Sequence, residues 1–108
     1  MLSFASLCTG EGLMDVGAKL AGFELAWGLE IAASHAAVAR LNLGHKIHVQ
    51  SIVDFDWHKV DRVDHLHISP PCTRASQANS TVGESDLDLA IARSFCDALE
   101  ILMPLSIS

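Results

Sequence analysis

Apolar runs alternate with amphipathic segments along the first half of the chain. Residues 1–8 and 23–29 are nearly continuous apolar runs, which is typical of strands buried on both faces. Residues 13–21 and 34–41 carry apolar side chains at helical spacing, and a glycine follows each segment closely, as it follows many helices. The repeated order of strand and helix predicts parallel strands joined by helical crossovers.

Both predicted helices contain residues whose positions can be assigned in advance. In the first helix, Leu13, Val16, Leu20 and Ala21 are assigned to one side, so we expect them to face the core. Ser34 opens the second helix, and its hydroxyl is expected to cap the free backbone N–H groups there.

The second half of the chain predicts two further strands and one long helix. Residues 47–50 form a brief apolar run, and residues 63–69 alternate between the two faces of a strand. A polar loop covers residues 70–85, and a helix follows from Asp86 until Pro104. Its apolar residues recur at helical spacing: Leu87, Ala90, Ile91, Phe95, Ala98, Leu99 and Leu102. We therefore predict an α/β fold with a partial parallel sheet of about four strands flanked by helices.

Composition and charge narrow the class of protein. The 108 residues are 50% hydrophobic and 19% charged, so we expect a single packed domain over residues 1–108. No apolar stretch is long enough to span a bilayer and the first residues carry no basic signal region, so a cytoplasmic protein without membrane contact is expected. The net charge of −6 argues against unaided binding to nucleic acid, because domains that grip phosphates alone are normally basic.

A glycine-rich turn and an acid point to a nucleoside cofactor. Gly10, Glu11 and Gly12 lie between the first strand and the first helix, and Glu30 stands at the end of the second strand. In a parallel sheet both places lie at the carboxyl edge, where ligands bind. Glycines let the backbone approach a cofactor, and the carboxylate can accept hydrogen bonds from both ribose hydroxyls; a plain tight turn is the alternative.

The charge near this turn selects among nucleoside cofactors. A dinucleotide fingerprint would have a third glycine where this chain has Asp15, and Glu11 adds a second carboxylate. Two acids near a helix N-terminus repel a pyrophosphate but tolerate a ligand that carries an ammonium and a sulfonium group. We therefore expect S-adenosylmethionine rather than NAD.

Cys72 is the candidate nucleophile. It follows Pro70 and Pro71 at the predicted carboxyl end of a strand, where the backbone is stiff, and Arg74 nearby would favour the thiolate. This loop contains no paired cysteine and no obvious histidine base, so attack on an electron-poor ring fits better than a protease-like mechanism. A proline-rich turn that holds a small apolar residue is the alternative.

The other cysteines and the paired histidines are assigned structural roles. Cys8 and Cys96 lie on predicted core faces and are expected to pack there; the chain has no CxxC pair, which fits a reducing compartment. His65 and His67 share a strand face, but no third ligand stands at a recognisable spacing, so no metal site is expected. Two aromatic residues are expected in the core or at its rim: Trp27 and Trp57.

Four motifs together resemble the opening motifs of DNA (cytosine-5)-methyltransferases, in the same order and near the usual spacing. They are residues 7–13 (LCTGEGL), residues 21–24 (AGFE), Glu30 and residues 70–72 (PPC). The resemblance implies a Rossmann-like, S-adenosylmethionine-dependent methyltransferase fold and methyl transfer to C5 of cytosine in DNA. The resemblance extends over nearly all of this chain but only over the opening part of a typical family member. It therefore implies that regions outside these residues make most of the contacts with DNA.

The resemblance also implies roles for single residues. Gly10 and Gly12 would line the methionine part of the cofactor, and Glu30 would bind its ribose. Cys72 would add to C6 of a cytosine flipped out of the duplex; C5 then takes the methyl group, and loss of the C5 proton and of the thiolate restores the ring. The expected cofactor-binding set is Gly10, Glu11, Gly12, Leu13, Glu30, Ile31, Ser51, Ile52 and Pro71, and the expected DNA contacts are Arg74 and Gln77.

The chain also departs from the family pattern. The family usually has Asp where this chain has Ser6 and Phe where it has Cys8; the acid that contacts adenine aligns with Ser51, and Asp54 comes three residues later. The chain stops before the family's Glu-Asn-Val motif, so we expect a fragment that is inactive alone, with a complementing C-terminal half as a candidate partner. A bacterial or phage modification system is the expected setting. Two alternatives stay open: a nucleotide-binding oxidoreductase domain, and a non-catalytic remnant that only binds a partner.

Overall fold

The structure, a computed structural model, describes residues 1–70 and 86–108. Its strands are β1 (Ser3–Leu7), β2 (Glu24–Glu30), β3 (Lys46–Val49), β4 (His65–Ile68) and β5 (Ser106–Ile107). Its helices are α1 (Leu13–Leu20), α2 (Ala33–Leu43), α3 (Asp86–Leu102) and a short 3₁₀ helix (Trp57–Lys59). None of the helices in this described part of the chain is long and apolar enough to cross a membrane.

The strands form one sheet in the order β3-β2-β1-β4-β5, and every neighbouring pair is parallel. The predicted α/β fold, a parallel sheet flanked by helices, is therefore confirmed. The sequence predicts about four strands, and the structure adds a fifth, β5. Its two residues are too few to show the alternation of apolar and polar side chains that predicts a strand. Because β1 lies in the middle of the sheet, the turn that follows it emerges between the ends of β2 and β4.

The main hydrophobic core lies between the sheet, α3 and the 3₁₀ helix. Leu7, Leu29 and Leu66 come from three adjacent strands and are at most 1% exposed. Burying a side chain of this size stabilises the fold by roughly 1.5–3 kcal/mol. Trp27 and Trp57 lie in the same cluster at 3% exposure each, which confirms their assignment to the core.

The buried face of α1 differs from the one that its apolar residues predict. Four residues expected to face the core are exposed instead, so that prediction was wrong: Leu13, Val16, Leu20 and Ala21. The side chains of Asp15 and Ala18 face inward. Asp15 is held there by hydrogen bonds to Ser6 and His45. A prediction from the spacing of apolar residues does not include such hydrogen bonds.

α2 begins without the predicted serine cap. Its N-cap residue is Ala32 and Ser34 already lies inside the helix, so the assignment of Ser34 as the cap was wrong. The Glu30 carboxylate accepts a hydrogen bond from the Ala32 N–H at 2.7 Å, which places a negative charge at the start of the helix. α2 ends at Gly44 in the left-handed conformation, as the glycine predicts.

α3 follows its predicted pattern with two exceptions. Ile91 and Ala98 are buried as expected, but Leu87 is 57% exposed. Cys96 is exposed, so its assignment to the core was wrong; it lies on the side of α3 away from the residues that the helix buries. Cys8 is half-buried and lines a cavity at the edge of the sheet instead of packing in the core.

Candidate functional site

A cavity of about 390 Å³ opens at the carboxyl ends of β1, β2 and β3. Residues that follow these strands form much of its wall: Cys8, Glu30, Ile31, Gln50, Ser51 and Ile52. Ser69, after β4, and Leu87 and Ile91 of α3 complete other parts of the wall. The structure therefore brings together four of the residues predicted to bind a cofactor, namely Glu30, Ile31, Ser51 and Ile52.

Glu30 is the charged centre of this edge. It is 7% exposed, and its two carboxylate oxygens accept hydrogen bonds from different backbone groups, Gly10 N–H and Ala32 N–H, both at 2.7 Å. The acid thus joins the glycine turn to the start of α2. Each carboxylate oxygen can accept a second hydrogen bond, so Glu30 also has capacity for hydroxyl groups of a ligand.

The two glycines of the turn serve different purposes. Gly10 and Gly12 have φ angles of 61° and 89°, in the left-handed region that favours glycine. A Cβ atom on Gly10 would meet open space, whereas one on Gly12 would lie 2.8 Å from Leu43 Cδ1 and 3.2 Å from Ala39 Cβ. Gly10 thus leaves room beside the turn, and Gly12 lets α1 pack closely on α2.

Other residues predicted to bind the cofactor have mixed positions. Glu11 and Leu13 are exposed and lie outside the cavity wall as the structure describes it. Ser51 lies in the wall, and its hydroxyl accepts a hydrogen bond from the Val53 N–H at 3.1 Å. Asp54, the alternative acid, is exposed and is not part of that wall.

Sequence reasoning missed several wall residues, among them Cys8, His35 and Gln50. A signal for them was present, because each lies within a few residues of a strand's carboxyl end. Burial and the nearby Glu30 carboxylate raise the pKa of the Cys8 thiol to about 11. Cys8 is therefore a neutral thiol near neutral pH, and a poor nucleophile there.

The predicted nucleophile lies outside the described residues. The same holds for Pro71 and for the two predicted DNA contacts, Arg74 and Gln77. Ser69, the first residue after β4, lies in the cavity wall. It donates its N–H to the Leu7 carbonyl at 3.2 Å. The role of Cys72 therefore stays a prediction.

Asp15 does not act on a ligand in the way that the sequence indicates. Its side chain is 1% exposed, and Oδ2 accepts hydrogen bonds from Ser6 Oγ at 3.0 Å and from His45 Nε2 at 2.8 Å. Asp15 is therefore engaged beneath the turn, and of the two acids only Glu11 is exposed at the turn.

The paired histidines of β4 bond to serines. His65 contacts Ser106 and Ser108, and His67 contacts Ser108 and Ser69, all at 2.6–2.8 Å. Among residues 1–70 and 86–108, no group of three or more His, Cys, Asp or Glu residues is arranged to hold a metal ion.

The arrangement defines a class of protein. A parallel sheet whose central strand leads into a glycine turn, with an acid from the next strand bonded to that turn, is typical of Rossmann-like nucleoside-binding domains. The chain belongs to the C-5 cytosine-specific DNA methylase family, whose family model matches residues 2–107. The family predicted from the motifs is thus confirmed. No curated protein sequence matches the chain.

Several solved structures share this fold, and methyltransferases are among them. Dnmt2 methyltransferase of S. pombe has a TM-score of 0.73 at 17% identity, covering 97% of this chain and 34% of that chain. Protein 1320 of Thermoplasma acidophilum has a TM-score of 0.66 at 20% identity, covering 98% and 49%. CalS10 of Micromonospora echinaspora, an amino pentose methyltransferase solved with bound SAM, has a TM-score of 0.63 at 19% identity, covering 94% and 38%. The chain spans less than half the length of each of these structures.

Proposed function

We propose that this chain is the cofactor-binding and nucleophile-bearing part of a DNA (cytosine-5)-methyltransferase. The observation that carries the proposal is the Glu30 carboxylate, which is bonded to the glycine turn and lines a cavity in a chain of the C-5 cytosine-specific DNA methylase family. The activity is proposed for the whole enzyme, of which these residues form one part.

The cavity fits a cationic nucleoside. Its volume of about 390 Å³ is bounded largely by apolar side chains, and the Glu30 carboxylate contributes negative charge. Glu30 would accept hydrogen bonds from the ribose hydroxyls, while Ile31 and Ile52 offer apolar surface for the purine ring. The open space beside Gly10 would admit the methionine part. S-adenosylmethionine, when bound, supplies an electrophilic methyl group.

Cys72 is proposed as the nucleophile for the cytosine ring. Its thiolate forms a bond to C6, and the electron pair displaced from the C5–C6 double bond makes C5 nucleophilic. After C5 has taken the methyl group, a base removes the C5 proton and the thiolate leaves, which restores the double bond. The target base has to leave the stack, because neither carbon is accessible inside the duplex.

DNA is proposed to bind through parts of the enzyme beyond these residues. The chain carries a net charge of −6, whereas a surface that grips phosphates is normally basic. A complementing C-terminal half is the proposed partner. The cytoplasm and a bacterial or phage modification system are the proposed setting.

Three experiments test the proposal. In isothermal titration, the chain should bind S-adenosylhomocysteine and not NADH; the reverse preference would favour the oxidoreductase alternative. In a full-length enzyme that contains these residues, DNA containing 5-fluorocytosine should form a covalent adduct at Cys72, because fluorine blocks the elimination step. A Cys72→Ser variant should lose methyl transfer and keep its affinity for S-adenosylhomocysteine. An adduct at Cys8 or Cys96, or full activity of the serine variant, would overturn the assignment.

A further inference from the structure

A buried chain of polar side chains runs beneath the glycine turn. His45, in the loop between α2 and β3, bonds to Asp15 of α1 at 2.8 Å, and Ser6 of β1 bonds to the same Asp15 oxygen at 3.0 Å. Ser6 Oγ lies 2.6 Å from Thr9 Oγ1. We call these four residues the polar chain. It ends at Thr9, which is covalently joined to Gly10, the residue that donates its N–H to Glu30.

The sheet leaves space for this chain. Gly28 of β2 lies beside it, and a Cβ atom on Gly28 would lie 2.7 Å from Thr9 Oγ1 and 3.4 Å from Ser6 Oγ. A side chain on Gly28 would therefore displace the hydroxyl of Thr9. Ser6 is fully buried and the side chains of Asp15 and His45 are 1% and 6% exposed, so these three residues of the polar chain are shielded from solvent.

The polar chain is a poor source of stability. Asp15 Oδ1 and His45 Nδ1 are buried, and within the described residues neither has a hydrogen-bond partner. Leaving a buried polar atom unpaired costs free energy, and a partly satisfied buried network is often less stable than apolar side chains of similar size. A role other than stability is therefore the better account of polar residues at these positions.

We propose that Asp15 and His45 are positioning residues that set the conformation of the glycine turn, and through it the affinity for the adenosyl cofactor. The polar chain fixes Thr9 from below, and Glu30 holds Gly10 from the cavity side, so the turn is held between them. Neither Asp15 nor His45 lines the cavity. The effect on affinity rests on the proposed function, whereas the effect on the turn itself does not.

The test compares variants that break the polar chain with variants that preserve it. His45→Ala removes the bond to Asp15. Thr9→Val breaks the other end, together with the hydrogen bond that Thr9 Oγ1 donates to the Ser6 carbonyl at 3.1 Å, and leaves the Asp15–His45 pair intact. His45→Gln keeps a donor in the place of Nε2. His58→Ala is the matched control, because His58 pairs with Asp56 on the surface, with side-chain exposures of 74% and 51%. Each folded variant is titrated with S-adenosylhomocysteine, and amide hydrogen exchange at Gly10 is followed by NMR.

We expect His45→Ala and Thr9→Val to weaken S-adenosylhomocysteine binding by about tenfold, since small displacements of supporting residues have effects of this size. The Gly10 amide should exchange faster in both, because its hydrogen bond to Glu30 opens more often. His45→Gln and His58→Ala should stay close to the wild type in both measurements.

Several results would overturn the inference. Unchanged affinity and unchanged Gly10 exchange in folded His45→Ala and Thr9→Val would show that the polar chain does not position the turn. A His45→Gln variant that behaves like His45→Ala would show that the ring volume matters and not the hydrogen bond. If the wild type binds no S-adenosylhomocysteine, the proposed function fails, and Gly10 exchange alone decides the inference. If His45→Ala does not fold, Thr9→Val decides it.

Discussion

At the scale of single residues, Glu30 has a structural role in two oxygen atoms to which the proposed function also gives a binding role. One oxygen holds the glycine turn through Gly10, and the other holds the start of α2 through Ala32. Both oxygens keep capacity for a ligand hydroxyl. A substitution at Glu30 therefore changes both stability and affinity, and the two effects have to be measured separately.

Glu30→Ala should weaken S-adenosylhomocysteine binding and lower the free energy of unfolding. Loss of a charged hydrogen-bond acceptor should cost about 1.5–3 kcal/mol in the free energy of binding and about the same in the free energy of unfolding. Glu30→Gln should be intermediate, because it keeps one carbonyl oxygen but places an NH₂ group against a backbone N–H. Isothermal titration and thermal unfolding measure the two effects, with a substitution of an exposed acid of α3, Glu100→Ala, as a surface control. Wild-type affinity in a folded Glu30→Ala variant would contradict the ribose assignment.

The thiols of Cys8 and Cys96 should differ in reactivity. In a Cys72→Ser variant, iodoacetamide should label the exposed Cys96 faster than Cys8, whose pKa of about 11 leaves little thiolate near neutral pH. Labelling of Cys8 should rise as the pH approaches that value. Bound S-adenosylhomocysteine should slow labelling of Cys8, which lines the cavity, and not that of Cys96. Mass spectrometry of peptides reads out both sites; equal protection of the two thiols would argue against ligand in this cavity.

At the scale of elements, α1 packs on the rest of the fold through its first turn and through the buried Ala18. Its N-cap residue Gly12 packs on Ala39 and Leu43 of α2, and the Val16 N–H bonds to the Gly12 carbonyl at 3.0 Å. Near the other end of the helix, Leu20 is 84% exposed. The orientation of α1 is therefore set where it meets the glycine turn, which couples this helix to the candidate site.

Gly12→Ala should destabilise the protein more than Gly10→Ala. Both positions have left-handed φ angles, where a side chain costs roughly 1–2 kcal/mol. Only at Gly12 does the added methyl group also overlap a neighbour, Leu43 Cδ1 at 2.8 Å. Chemical denaturation of the two variants gives the comparison. Leu43→Ala should recover part of the loss in the Gly12→Ala background, and equal losses at both glycines would contradict this account.

At the scale of the whole molecule, two histidines in the sheet are poorly placed to carry charge. His48 lies against the edges of Trp27 and Phe55, with ring centroids at 6.3 and 5.9 Å. Burial lowers its pKa, and the positive charges of Lys46 and Arg40 lower it further. Burial, with a smaller contribution from His65, also lowers the pKa of His67. The folded state thus resists protonation at both sites.

The protein should lose stability as the pH falls below about 6.5, the ordinary pKa of histidine. The unfolded chain binds protons at these two sites at a higher pH than the folded chain does, so acidification favours unfolding. Thermal unfolding between about pH 7 and pH 5, where most carboxylates stay ionised, measures the effect. His48→Asn and His67→Asn should each reduce the drop in Tm, and His58→Asn, on the surface, should not. An equal Tm at both pH values would contradict the prediction.

Local patterns in the sequence were enough to place the candidate site at one edge of the fold. Apolar runs and glycines mark where strands and helices begin and end, and parallel connectivity then brings every strand's carboxyl end to the same edge. For this reason Glu30 could be assigned to the same edge as the glycine turn, whereas Ser51 and Ile52 were assigned to the site through the resemblance to the family. The motifs around them likewise identified the family.

Only the tertiary structure decided which side chains face inward and which polar groups meet. Asp15 is buried because Ser6 and His45 bond to it, the latter 30 residues away, and no periodic pattern records such a partner. The Glu30 carboxylate, and not the Ser34 hydroxyl, accepts a hydrogen bond from the backbone at the start of α2, because the turn after β2 brings this carboxylate to the Ala32 N–H. Hydrophobic periodicity describes one segment at a time, whereas burial and hydrogen bonding depend on contacts between segments. These contacts connect the glycine turn, Glu30 and the polar chain.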